Sequence, residues 1–113
     1  MAKNTKQVGD EGEERAVLFF KEKHHQVLVQ NYRYKRSEID IISQKDNTIH
    51  FVEVKFRSNN KYGYPEDFVD NKKLDQIALA AENYVEELNW QGLIQFDIIA
   101  ITKSRIAFFE DVY

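Results

Sequence analysis

Ser37-Glu38-Ile39-Asp40-Ile41-Ile42 and, after a short turn, Phe51-Val52-Glu53-Val54-Lys55 decide how this chain is read. Both stretches alternate polar and apolar residues with the period of two that a β-strand imposes. Glu38 and Asp40 are therefore expected on one face with Ile42, and Glu53 and Lys55 on one face with Phe51 and Arg57. Ile39, Ile41, Val52, Val54 and Phe56 fill the complementary positions. If the hairpin brings its polar faces together, its carboxylates crowd one another, which is unfavourable until a cation or a proton neutralises them. The two strands imply a ligand.

Working outward, Val8 to about His25 reads as a helix, with Gly9 and Gly12 in its opening and a stripe of Ala16, Val17, Phe19 and Phe20. Gln26 to Tyr34 has β composition, Lys45-Asp46-Asn47 makes a turn, and Thr48 to Arg57 is the long third strand. Ser58 to about Asp70 holds Asn59-Asn60, Gly63 and the only proline, Pro65, and reads as a loop longer than a core requires, placed where it could touch a substrate. Leu74, Ile77, Ala78, Ala81, Tyr84, Val85 and Leu88 recur at helical spacing behind Asp70 or Asn71 as cap. Phe96 to Thr102 and Arg105 to about Val112 are the last strands. The order αβββαββ predicts an α/β (α+β) fold of restriction-endonuclease-like outline, a central mixed sheet flanked by helices. All 113 residues are expected in one domain, with residues 1–7 as a flexible tail.

Composition narrows the chemistry. With 42% apolar and 31% charged residues the chain reads as an ordinary soluble protein. The absence of cysteine excludes disulfides and thiolate metal sites, so a metal here takes oxygen or imidazole ligands. No apolar run suits a signal peptide or a membrane span, and the expected place is the cytoplasm. A net charge of −3 argues weakly against a polyanionic partner. Positive charges nevertheless gather at Lys35-Arg36, at Lys55, Arg57 and Lys61, and at Lys72-Lys73, while acids gather from Asp10 to Glu14 and from Glu82 to Glu87. Lys72 and Lys73 open a helix, where cations are disfavoured unless an anion binds there. Arg57, Lys61, Lys72 and Lys73 are accordingly the candidate nucleic-acid contacts.

Phosphodiester hydrolysis needs charge stabilisation at the phosphoryl oxygens, an activated water and help for the leaving oxygen, and a Mg²⁺-class ion contributes to all three. Asp40 and Glu53 can each give such an ion a carboxylate oxygen, and the Val54 carbonyl a backbone oxygen. Lys55 can hold or polarise the attacking water. Glu13, on the first helix, can complete the coordination directly or through water, and Glu38 stands at the edge of the site.

Asp40 followed by Glu53-Val54-Lys55 resembles the PD-(D/E)XK motif of restriction-endonuclease-like nucleases. Taken in order, Gly9-Asp10-Glu11-Gly12-Glu13, Glu38-Ile39-Asp40, Phe51 through Arg57, Lys72-Lys73 and Phe96-Asp97 resemble the small bacterial YraN-like family over nearly the whole chain. That family is grouped with endonucleases similar to archaeal Holliday junction resolvases. The resemblance implies an αβββαβ core, dependence on Mg²⁺ or Mn²⁺, branched or duplex DNA as substrate and a homodimer. It also implies Asp40 and Glu53 as metal ligands, Lys55 as the catalytic lysine and Glu13 as the first-helix acid. One departure is Ser37, where the family usually has glycine.

Each feature also has a plainer reading. Glu53 and Lys55 alone make a solvated pair on an exposed sheet face, loop residues Tyr62 and Tyr64 cover a core edge, and Trp90 packs. His24 and His25 close a helix and are assigned no role. Asp97, in an apolar strand, either supports Lys55 or a helix terminus or marks the strand end. Two alternatives to a nuclease remain: a non-catalytic nucleic-acid-binding module, and an interaction protein in DNA processing. A metal-independent ribonuclease ranks last, because His50 lies on the face opposite Glu53 and Lys55.

Overall fold

The computed structural model describes residues 5–56 and 71–112. The expected 58–70 loop, with Lys61, Tyr62 and Tyr64, lies outside the described residues, and so does Arg57. Helix α1 spans Thr5–Glu22, strands β1, β2 and β3 span Gln26–Tyr34, Ser37–Lys45 and Thr48–Phe56, helix α2 spans Asn71–Leu88, and strands β4 and β5 span Leu93–Ile101 and Ile106–Phe109. The five strands lie in sequence order, antiparallel except for β3 and β4, which run parallel. Parallel neighbours need a crossover, and α2 supplies it.

The two helices cover opposite faces of this mixed sheet. Ala16 and Phe20 of α1 pack on Ile41, Val52, Val54, Ile99 and Ile101, while Ile77, Ala80 and Ala81 of α2 pack on Ile39, Ile42, Ile49 and Phe51. Strand β3 feeds both layers by plain alternation, Val52 and Val54 to one side and Phe51 to the other. Gly12 is where α1 comes down on the end of β3. A Cβ there would stand 1.8 Å from the Phe56 ring, so only glycine admits the approach as built.

Strand β2 departs from the expected alternation. Ile39 and Ile42 both face α2, whereas Ile41 faces α1. The β1–β2 register pairs Gln30 with Ile41 and Tyr32 with Ile39 but leaves out Asn31 and Asp40, and Asn31 has φ of 55°. The β1–β2 register itself slips by one residue between Val27 and Val29, a bulge on β1. The sequence expectation that Ile39 and Ile41 share a face is corrected at Ile39, which packs on the α2 side with Ile42, whereas Glu38 and Asp40 line one cavity on that side.

Both helices end in the same device. After α1 the His25 N–H donates to the Phe20 carbonyl at 2.8 Å and the His24 N–H to the Lys21 carbonyl at 3.0 Å, with His24 at φ 68°. After α2, Trp90 donates to Val85 at 2.9 Å and Asn89 to Glu86 at 3.1 Å, with Asn89 at φ 54°. These paired bonds are a Schellman closure, which normally places glycine at the left-handed position. The helix expected to run to about His25 thus stops at Glu22, and His25 is turned inward. Because His24 carries a Cβ that this conformation penalises, His24→Gly is expected to raise unfolding stability by about 0.5–1 kcal/mol, and His24→Val to lower it, in thermal denaturation.

Candidate metal and phosphate site

The β2–β3 ladder ends at Ile41 paired with Val52. Beyond it the two strands no longer pair, and Asp40 fills the gap with its side chain, Oδ2 accepting the Val54 N–H at 2.7 Å. That bond fixes Asp40 at the splayed mouth of the hairpin. Val54 meets the acid through its N–H.

Glu53 follows on β3 with its side chain only 10% exposed, and Oε1 receives two ammonium groups, Lys55 at 3.2 Å and Lys73 in a short hydrogen bond. Burial lowers the Lys55 pKa below the usual lysine range, with Glu53 opposing and Lys73 adding to the fall. Burial also pulls the Lys73 pKa down, yet its bond to Glu53 holds it above the ordinary value. A cavity of about 510 Å³ opens beside Glu53 and Lys73, and Glu38, Asp40, Lys72 and Arg36 line it with them. Ser37, where the resemblance departs, donates its hydroxyl to the Gln76 carbonyl at 2.9 Å and ties the start of β2 to α2. Glu38 also pairs with the exposed Arg33 at 3.1 Å.

Glu13 stands apart from the cavity wall, on the helix of the other layer, but its charge acts on Asp40. Burial raises the Asp40 pKa to about 6; the Val54 N–H pulls it down, and Glu53, Glu38 and Glu13 push it up in that order. Four carboxylates on helix and strands therefore share one electrostatic neighbourhood. Among the described residues no three His, Asp or Glu side chains are gathered closely enough to hold a metal ion by themselves. The donor set still fits a hard divalent ion, which commonly takes one or two carboxylates and completes its shell with water. The ammonium pair on Glu53 Oε1 marks where positive charge is needed.

Residues 12–101 match uncharacterised protein family UPF0102. A UPF0102 protein of Cytophaga hutchinsonii is 44% identical over 100 residues, covering 88% of this chain and 88% of its own length. A UPF0102 protein of Christiangramia forsetii is 42% identical over 99 residues, covering 88% and 83%, and one of Sulfurihydrogenibium sp. is 39% identical over 102 residues, covering 89% of each. The chain belongs to UPF0102. The segment matched to UPF0102 takes in Glu13, Asp40, Glu53, Lys55 and Lys73, so the whole acid and lysine group lies within the family's own extent. No described helix is long and apolar enough to cross a membrane.

A second polar group was not expected. On the α1 side, His25 Nδ1 meets Ser43 Oγ at 2.9 Å, the His25 and His50 rings lie 4.6 Å apart, and His50 Nδ1 meets Asp97 Oδ2 at 2.7 Å. Gln95 Nε2 and the Asp111 N–H both donate to Asp97 Oδ1 at 2.8 Å. All four core members are buried. Asp97 thus supports neither Lys55 nor a helix end; it anchors His50 and the chain after β5. The only sequence signal was an acid in an apolar strand, which names no partner 47 residues away.

Burial lowers the His25 pKa to about 4, with the His50 and Lys45 charges adding and Asp97 and Asp46 opposing. The unfolded chain therefore takes up a proton at this position from pH 6.5 downward, the folded chain only near 4, and stability falls with pH across that window. Asp40 acts oppositely: from pH 6 down to 3.8 the folded chain binds a proton that the unfolded chain does not, and stability rises. Asp40→Asn keeps an acceptor for the Val54 N–H and removes the charge. It is expected to exceed the native chain in stability by about 1–3 kcal/mol at pH 7.5. It should also lose stability more steeply than the native chain on acidification from pH 6.5 to 4, and thermal melts at stepped pH check both.

Proposed function

We propose that this UPF0102 chain is a metal-dependent endonuclease that hydrolyses phosphodiester bonds in DNA, in duplex or branched structures of the Holliday-junction kind. One observation carries the reading: Asp40 and Glu53 line a single cavity at the splayed end of two strands, with Lys55 hydrogen-bonded to Glu53. The order of Asp40 and Glu53-Val54-Lys55 on neighbouring strands agrees with the resemblance to YraN-like and other restriction-endonuclease-like nucleases. Asp40 and Glu53 would hold Mg²⁺ or Mn²⁺, with Glu13 acting through water. When bound, such an ion stabilises phosphoryl charge and makes water a stronger acid. Lys55, its proton loosened by burial, holds the attacking water and accepts or returns a proton at Nζ. Arg36, Lys72 and Lys73 give the cavity the positive wall that a phosphate backbone requires. Cutting both strands of a junction calls for two such sites, hence a homodimer with one site per copy.

A second reading has its own support. Glu53 is already neutralised by two lysines, and the chain is acidic overall, which suits a binding module that keeps the fold without turnover.

Labelled four-way junction, flap, duplex, single strand and RNA, incubated with Mg²⁺, with Mn²⁺ and with EDTA, separate the two. The expected outcome is metal-dependent DNA cleavage that falls by at least about 100-fold in Glu53→Ala. Undiminished cleavage by Glu53→Ala would overturn the assignment, whereas salt-sensitive binding without products from either protein would establish the binding module.

A further inference from the structure

Lys55 and Lys73 reach the same oxygen of Glu53 by different routes. Lys55 is two residues along the same strand, so strand geometry alone delivers it. Lys73 comes from the first turn of α2, in the layer above, and its side chain is 40% exposed at the cavity. An ammonium in the opening turn of a helix is opposed by the helix dipole, and holding a lysine in one rotamer costs further entropy. Glu53 is what offsets both.

We propose that Lys73 is the resident counter-ion of Glu53: its ammonium occupies the carboxylate oxygen that a divalent cation takes, and it leaves that oxygen when the cation binds. The proposal rests on the metal-site reading above. A divalent ion held by Oε1 would set two positive charges against an ammonium hydrogen-bonded to the same atom in a half-buried site. The two occupants exclude each other. Lys73 has somewhere to go, because the cavity it lines is open and also lined by Lys72 and Arg36. There its charge adds to theirs and faces any phosphate in the cavity. A phosphate that draws Lys73 off Glu53 vacates the metal position, so polyanion and metal ion favour each other's binding by the same factor. Without either, Glu53 is not left as an uncompensated buried charge.

The test is Mn²⁺ binding to the full chain without nucleic acid, with free Mn²⁺ read from its paramagnetic resonance signal. Lys73→Met is expected to bind Mn²⁺ about tenfold or more tightly than the native chain, and Lys73→Arg to stay within about threefold of native. Lys72→Met removes the same charge from the neighbouring residue, for which no ion pair with Glu53 is present, and should change affinity by less than about threefold. Glu53→Gln should abolish binding with either residue at 73. Equal affinity of the native chain and Lys73→Met, with binding still lost in Glu53→Gln, would overturn the counter-ion role and leave the metal site standing. No Glu53-dependent Mn²⁺ binding in any variant, with circular dichroism showing each one folded, would overturn the metal site and this role with it.

Discussion

The Val54 N–H has no strand partner on the β2 side once pairing stops at Ile41 and Val52, and Asp40 takes it. A buried backbone donor must be satisfied, and here a side chain does what the ladder no longer does. That substitution lets β2 and β3 part company while staying tied, which opens the cavity between them and α2. It also commits an aspartate to a half-buried place beside Glu53. Everything charged in the site follows from this: Glu53 with its side chain largely buried, the lysines drawn in to neutralise it, and an Asp40 carboxyl whose pKa burial raises to about 6.

The sheet keeps two kinds of polar chemistry apart. On the α2 side Glu38, Asp40 and Glu53 line an open cavity with Arg36, Lys72 and Lys73. On the α1 side Ser43, His25, His50 and Asp97 satisfy one another out of water. The second group reads as structural, because Asp97 accepts three hydrogen bonds and His50 is bound to it. Buried networks that are fully paired fix one arrangement of their elements, here the turn after α1, the middle of the sheet and the segment after β5.

Much of the fold was legible because β3 and α2 obey simple periods. Thr48 to Phe56 alternates throughout, and the apolar residues of α2 recur at helical spacing, so the order αβββαββ could be written from the sequence. Alternation put Asp40 with Glu38, and the two line one cavity. Ile39 was the departure: alternation put it with Ile41, whereas it packs with Ile42 on the α2 side, and no residue type in β2 announces the change. The end of α1 was missed for a similar reason: the closing position holds His24 where a glycine would have announced it. Strand β4 begins at Leu93, ahead of the expected Phe96, since Leu93 and Ile94 are exposed and their pairing with Thr48 and Ile49 is a matter of register. Lys73 was placed at a helix start and read as a phosphate contact. Its hold on Glu53 depends on how α2 crosses the sheet, a tertiary fact that no local pattern contains.

Glu53 meets both of its lysines on one oxygen, and this bears on how such a site can exist in a folded chain at all. Burial of a carboxylate among three other acids opposes folding, and Asp40 records that opposition in a pKa raised first by burial and then by Glu53, Glu38 and Glu13. Two remedies are built in, a proton that Asp40 can share and an ammonium from α2 on Glu53. Neither is a fixed part of the core: the proton exchanges with water, and Lys73 is anchored at its backbone while its side chain borders the cavity. A permanent remedy, such as an arginine forked onto Glu53 from within the core, would stabilise the chain and close the oxygen to any other cation. The remedies present are reversible ones. A site whose charge is balanced by groups that can leave is organised to accept a ligand, and that distinguishes it from the sealed network on the other face of the same sheet.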